Sequence, residues 1–234
     1  MAKADAPVLL ITGASTGIGA ATAHAAAQAG HRLVLAARSA DKLSALAAKI
    51  GGGEDRVLAV PTDVTEWEQV EALAAAATDA FGGIDVVFAN AGFGAARGFE
   101  RGESPEQWRS MVLTNVLGVA YTIRATIPAL KASTGHMVLT SSVAGRRALP
   151  GSLYAATKHA VGAIGEGLRQ ELNGTGVRVT LIEPGMVDTP FFDEKPSIEA
   201  LKPEDVAEAV LFAITRPPHV DVNEILLRPT AQDG

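Results

Sequence analysis

Short apolar runs rich in Val, Ile and Leu alternate with longer helix-patterned stretches along the whole chain, and this alternation constrains the fold more than any other feature. The runs are Val8–Ile11, Arg32–Ala36, Val57–Val60, Val86–Ala89, His136–Thr140, Val177–Ile182 and Glu224–Leu227. Most are apolar at consecutive positions rather than at every second one, the pattern of strands covered on both faces. Between them lie the helix candidates Ile18–Ala29, Ala40–Ile50, Glu66–Phe81, Pro105–Lys131, Gly151–Asn173 and Pro203–Thr215. Strand and helix in turn predict an α/β, doubly wound (Rossmann) fold, a seven-stranded parallel sheet with helices on both faces. Ser104 before Pro105, and Pro203 before Glu204 and Asp205, are helix-start signals: a hydroxyl cap, a proline in the first turn, and carboxylates where the helix dipole favours them. No linker, composition shift or repeat interrupts the pattern, so one domain is expected over 1–234. A short substrate-loop segment, about 186–202 with Phe191, Phe192 and Pro196, is placed at the carboxyl edge of the sheet, where such folds bind ligands.

Composition excludes several chemistries. The 234 residues include no cysteine, which removes disulfides, thiolate nucleophiles and cysteine metal sites. Twenty basic against 26 acidic residues, a net charge of −6, argue against a nucleic-acid binder. The five histidines (His24, His31, His136, His159, His219) are scattered without metal-ligand spacing, so they read as surface or hydrogen-bonded histidines and no metal is expected. No uninterrupted apolar run approaches the ~18 residues that span a bilayer. Val8–Ile11 is too short for a secretory core of ~7–15 residues. The expectation is a cytoplasmic protein with no membrane partner.

The first strand runs into Thr12-Gly13-Ala14-Ser15-Thr16-Gly17-Ile18-Gly19 and then a helix. A glycine-rich strand-to-helix turn lets the backbone approach a pyrophosphate and aims helix N–H groups at it, although such glycines can also be purely structural. The second strand ends in Ala37-Arg38-Ser39, with no carboxylate for a ribose 2′-hydroxyl. A guanidinium there can pair with a 2′-phosphate, which favours NADP(H) over NAD; the plainer reading of Arg38 is a solvated loop charge. Asp41 reads as a dipole-favouring residue of the following helix.

After the fifth strand come Ser141-Ser142-Val143-Ala144-Gly145, and a dozen residues later Tyr154-Ala155-Ala156-Thr157-Lys158. Tyrosine and lysine at i and i+4 share one helix face. Lys158 is expected to pull the Tyr154 phenol from pKa ~10 towards 7, making it a proton donor and acceptor near neutral pH. A serine hydroxyl opposite can hold and polarise a carbonyl oxygen.

Together these residues resemble the short-chain dehydrogenase/reductase family over almost the whole chain, Val8 to Pro229. The landmarks stand in order: the Thr12–Gly19 turn, Asp63-Val64, Asn90-Ala91-Gly92, Asn115, Ser142, Tyr154 with Lys158, and Pro184-Gly185-Met186-Val187-Asp188-Thr189. The resemblance implies that Tyr154 is the general acid/base, that Lys158 lowers its pKa and holds the nicotinamide ribose, and that Ser142 binds the substrate oxygen. It implies that Asn115 kinks its helix and holds a water in a proton relay. Gly13, Ser15, Thr16, Gly17, Ile18 and Gly19 would hold the pyrophosphate, Asp63 and Val64 would flank the adenine, and Asn90, Ala91 and Gly92 would line the cofactor. Pro184, Gly185, Val187 and Thr189 would cover the nicotinamide side, and Arg38 matches the NADP-preferring branch. The Ser142–Tyr154 interval is one residue shorter than in many members, so Ser141 competes with Ser142; the S-x-x-G context favours Ser142. The family's usual paired asparagine is reduced, because Ala89 precedes Asn90.

The expected activity is hydride transfer between NADP(H) and a small-molecule carbonyl or alcohol, in a homodimer or homotetramer built on the fourth and fifth helices. The alternative is a non-catalytic NADP(H)-binding sensor on the same fold. Phe93, Leu149, Met186, Phe191 and Phe192 are expected to form an apolar substrate wall. Arg146 and Arg147 read either as contacts for an anionic substrate or as a solvated loop or subunit contact. Trp67 and Trp108 read as packing or interface residues.

Overall fold

A computed structural model describes residues 6–191 and 198–232, so Phe192 and Pro196 of the expected substrate loop lie outside the described residues. Seven strands form one parallel sheet: β1 Val8–Thr12, β2 Arg32–Ala37, β3 Val57–Pro61, β4 Val86–Ala89, β5 His136–Thr140, β6 Arg178–Pro184 and β7 Glu224–Leu227. Their spatial order is β3-β2-β1-β4-β5-β6-β7, every pair parallel. The order reverses between β1 and β4, which opens a crevice at their carboxyl ends.

The helices are α1 Gly17–Gln28, α2 Ala40–Ile50, α3 Trp67–Phe81, α4 Pro105–Ser133, α5 Leu153–Glu171 and α6 Pro203–Ile214. The consecutive apolar positions of the strands serve two cores. Val8 and Leu10 of β1 join Leu73, Ile123 and Val161 from α3, α4 and α5. Leu9 and Ile11 of the same strand join Ala23, Leu43 and Val210 from α1, α2 and α6. Alternate side chains pointing to opposite faces is the geometry of a strand, and here both faces are dry.

Helix boundaries follow their capping residues. Ser104 accepts from the Gln107 N–H at 3.2 Å ahead of Pro105. Asp205 accepts from the Lys202 N–H at 2.7 Å at the start of α6. Ser152 caps α5 through the Ala155 N–H, 3.1 Å, so this helix begins at Leu153 rather than at Gly151.

At Asn115 helix α4 passes through a π turn over Leu113–Gly118, a wider turn inserted without breaking the helix. Two expectations need correction. By length and mean hydropathy alone α4 is also long and apolar enough to cross a membrane, which a search for uninterrupted apolar runs passes over. In the fold Met111, Ile123 and Leu130 are buried, while Glu106, Arg124 and Lys131 are exposed on the same helix. Finally, His136 is neither a surface histidine nor a fully hydrogen-bonded one: it is wholly buried, with Nδ1 lacking a partner among the described residues.

Candidate active site

The carboxyl ends of β1, β4, β5 and β6 converge around the crevice, and hydrogen bonds from threonine and asparagine hold them in place. Thr12 Oγ1, at the end of β1, accepts from the N–H groups of Asn90 (3.1 Å) and Ala91 (3.2 Å). Asn90 donates through Nδ2 to the Thr12 carbonyl at 3.2 Å and accepts from Thr140 Oγ1 at 3.2 Å. One asparagine therefore joins β1, β4 and β5, whatever the neighbouring Ala89 lacks.

The glycine turn packs into this junction. Gly13 has φ +66°, and a Cβ there would lie 2.8 Å from Ala91 Cα; one on Gly19 would lie 2.3 Å from the Gly13 oxygen. These two glycines are required by the packing of the turn itself. The turn nevertheless fits a phosphate. Thr16, the residue before α1, makes no side-chain cap, and no carboxylate stands in the first turn, so the N–H groups at this helix start keep their positive end open to an anion. Ser15, Thr16, Gly17 and Ile18 lie at its rim, partly or fully exposed. A Cβ on Gly17 would meet Thr189 Cγ2 at 3.2 Å, so the segment after β6 folds back over the turn.

Arg38 is exposed at the tip of β2, beside Ser39, which likewise starts α2 without a side-chain cap. Asp63 follows β3, and its carboxylate accepts from Thr65 N–H (3.0 Å) and Oγ1 (2.9 Å), which fixes the loop. Val64 is buried against the π turn of α4, where a Cβ on Gly118 would approach Val64 Cγ2 to 2.8 Å.

Tyr154 and Lys158 lie one turn apart on α5, and the Lys158 Nζ stands 5.7 Å from the Tyr154 ring centroid. That ammonium is buried and donates to the Thr140 carbonyl at 2.8 Å. Ser142 faces Tyr154 and hydrogen-bonds it. Its hydroxyl also reaches the Pro184 carbonyl at 3.2 Å and accepts from the Ala144 N–H at 3.1 Å. Ser141 points elsewhere, donating to the Lys158 carbonyl at 3.1 Å. Of the two serines, Ser142 is the one in the cleft.

Lys158 does not bring the phenol towards neutrality here. Burial pushes Tyr154 up to about 12, and the Ser142 hydrogen bond opposes that shift only in part. Burial also brings Lys158 down to about 8. Its ammonium is held by a main-chain carbonyl rather than by the phenol oxygen.

The Asn115 side chain is fully engaged as well. Nδ2 donates to the Phe93 carbonyl (2.9 Å) and Thr157 Oγ1 (3.1 Å), and Oδ1 accepts from the Phe93 N–H at 3.0 Å. It ties the loop after β4 to α5. Gly92 lies between them, where a Cβ would come 3.0 Å from Asn115 Oδ1 and 3.6 Å from Lys158 Nζ.

Phe191 stacks edge-on against Tyr154, centroids 5.6 Å apart, and Phe93, Leu149 and Met186 are partly exposed. Gly98 N–H donates to the Gly151 carbonyl at 2.9 Å, which joins the loop after β4 to the start of α5. Arg146 binds Glu183 and Glu224, not the cleft. Trp67 meets Tyr121 and Trp108 meets Phe99 in edge-on pairs. The sequence reading missed Thr12, Thr140 and Thr157; a threonine closing a buried strand just before a glycine or serine turn was the available signal for the first two.

A family model for short chain dehydrogenases matches residues 7–200. An uncharacterized oxidoreductase of Staphylococcus haemolyticus is 43% identical over 234 residues, covering 98% of this chain and 100% of its own length. Among solved structures, an alcohol dehydrogenase from the archaeon Thermococcus sibiricus, complexed with 5-hydroxy-NADP, superposes with a TM-score of 0.90 at 36% identity, over 97% of this chain and 98% of its own. Serine dehydrogenase from Escherichia coli gives 0.87 at 32% identity, over 97% of this chain and 100% of its own.

Proposed function

The chain belongs to the short-chain dehydrogenase/reductase family of oxidoreductases, and from that premise we propose that it transfers a hydride between NADP(H) and the carbon of a carbonyl or secondary alcohol. The observation that carries this reading is the convergence of Tyr154, Ser142 and Lys158 beside an anion-ready glycine turn at one sheet edge.

When bound, the nicotinamide supplies or accepts the hydride. The residues do the rest. Ser142 holds the substrate oxygen, and Tyr154, whose proton is retained at neutral pH, donates it to that oxygen in the reductive direction. Lys158 is placed to hold a ribose hydroxyl from the Thr140 side of the cleft. Gly13 to Gly19 take the pyrophosphate, Arg38 the 2′-phosphate, Asp63 and Val64 the adenine edge. Asn90, Ala91, Gly92 and the Pro184–Thr189 segment flank the nicotinamide, and Asn115 holds the loop that carries Phe93.

The apolar side chains of Phe93, Leu149, Met186 and Phe191 support a largely hydrophobic or small aliphatic substrate. A homo-oligomer packing through α4 accords with the exposed Val112 and Leu117 on that helix.

A panel of carbonyls and alcohols run with NADPH and NADH tests the proposal. Tyr154→Phe should lower kcat about 10²- to 10⁴-fold on any substrate found, with cofactor binding retained. Turnover near wild type in that variant overturns the reading.

A further inference from the structure

Ser142 is followed by a short 3₁₀ turn, Val143–Gly145, held from within by Gly145 N–H to the Ser142 carbonyl (2.9 Å), Arg146 N–H to the Val143 carbonyl (3.1 Å) and Ala144 N–H to Ser142 Oγ (3.1 Å). Ahead of it, Ser141 N–H donates to the Ile182 carbonyl at 2.8 Å and so ties the segment to β6; the far end of the turn is tied to the same strand by a side chain. The residue that closes it, Arg146, donates through Nε to both carboxylate oxygens of Glu183, at 2.9 and 2.7 Å. Its Nη2 lies 2.6 Å from Glu183 Oε2 and also contacts Glu224. Glu183 is 1% exposed, the last residue of β6 before Pro184, and Pro184 accepts from Ser142. Ser142 to Pro184 and Arg146 to Glu183 are thus two adjacent rungs between the same two chain segments. Glu224 comes from β7, which runs beside β6 in register.

We propose that Arg146 is a positioning residue: bound between Glu183 and Glu224, it sets the turn that carries Ser142 against the end of β6, and so where the Ser142 hydroxyl stands relative to the Tyr154 phenol. The inference rests on the reading of Ser142 as the group that holds the substrate oxygen. The chemistry of the pair explains why an arginine stands here. A carboxylate this buried is unfavourable without a partner cation, and burial pushes Glu183 up while the guanidinium holds it down. A planar fork meets two oxygens of one carboxylate and still reaches a second; an ammonium does so only as a point charge. With Nε and Nη2 committed, Arg146 is turned towards the sheet rather than the substrate.

The test compares Arg146→Ala and Arg146→Lys in steady-state kinetics, on the substrate of the carbonyl panel with the highest turnover. For Arg146→Ala we expect kcat to fall about 10- to 100-fold, the cost of a misplacement of about 1 Å, with KM for NADPH unchanged. Arg146→Lys, which keeps the charge but not the fork, should recover only part of that loss. Placed on the residual activity of Ser142→Ala, the same alanine change should cost less than about threefold, because its effect passes through the hydroxyl already removed. The proposal is overturned if folded Arg146→Ala turns over within about twofold of wild type. It is overturned equally if KM for NADPH rises with kcat unchanged, or if the full loss persists in the Ser142→Ala background. Should Arg146→Ala not fold, Arg146→Gln with Glu183→Gln removes both charges while keeping the packing, and the same kcat criterion applies. The underlying reading is judged separately. Wild-type kcat in Ser142→Ala sinks that reading whatever Arg146 does. Inactive Ser142→Ala and Tyr154→Phe beside an active Arg146→Ala sink only the positioning role.

Discussion

At Tyr154 burial and a hydroxyl pull in opposite directions, and burial wins. A phenol pushed up to about 12 keeps its proton across the neutral range, so the proton is there to give in carbonyl reduction, from a weaker acid than one tuned towards neutrality. The lysine beside it meets the converse problem: burial brings it down to about 8, so part of its charge is lost just above neutrality. Arg38 stands outside this cluster, exposed at the tip of β2 where a ribose carboxylate partner is missing. If it pairs with a 2′-phosphate, its removal takes away a charge-assisted contact worth about 1.5–3 kcal/mol. Arg38→Ala should therefore raise KM for NADPH about 10- to 100-fold and leave that for NADH within about twofold. Initial-rate kinetics with both cofactors decide it. Equal changes would leave Arg38 a solvated loop charge.

At the scale of elements, the π turn of α4 carries most of what helix spacing alone could not reveal. It brings Asn115 against Phe93 and Thr157 and leaves Gly118 facing Val64. A glycine-to-alanine change inside a helix ordinarily stabilises by about 1 kcal/mol. At Gly118 the new methyl would lie 2.8 Å from a branched side chain, and overpacking of this kind costs about 1–3 kcal/mol. Gly118→Ala should therefore lower Tm, and Val64→Ala in the same chain should restore part of the loss. A rise in Tm with Gly118→Ala alone would show that the turn can give way.

The same helix marks the limit of what could be read from the chain. Its start was signalled by Ser104-Pro105, because caps are local chemistry. A π turn uses the same residues as an α turn, and the one-residue phase shift it introduces is lost in the broad apolar stripe of a single helix. Tyr154 and Lys158 share a helix face by spacing alone, so their placement was readable. The Lys158–Thr140 bond was not, because it joins residues on different elements and depends on the order of strands. Arg146 was ambiguous for the same reason: its partners lie 37 residues away on β6 and further still on β7.

Across the whole molecule, the candidate site occupies the carboxyl edge of the sheet, and the strongest acid sensitivity belongs to the amino edge. His136 begins β5, whose last residue, Thr140, receives the Lys158 ammonium; the two ends are about 13 Å apart at ~3.3 Å per residue. Thr180 has a single hydroxyl proton and donates it to the Val222 carbonyl at 2.6 Å, so at 2.7 Å it accepts from His136 Nε2–H. Nδ1 is then the bare nitrogen, and a second proton would arrive there in a dry site without an acceptor. Burial, and behind it the nearby Arg178 charge, bring this histidine from 6.5 down to about 3. Because the unfolded chain binds that proton at 6.5 and the folded one only near 3, stability is complete above pH 6.5 and drains away as pH falls towards 3. The full span is worth roughly 4–5 kcal/mol. His31, at the amino edge beside β2, is shifted down for the same reason and adds to the same slope. His136→Phe fills the space with a ring that takes no proton and leaves Thr180 bonded to Val222. Urea titrations between pH 6.5 and about 4 should then show a flatter fall in stability, with the His31 share remaining against the opposite contribution of Glu183 and Asp221, whose carboxyls burial pushes up, while the pH-rate profile above 6.5 keeps its wild-type shape. An unchanged stability slope would place the acid sensitivity elsewhere, and an altered rate profile would mean that the two edges of the sheet are not independent.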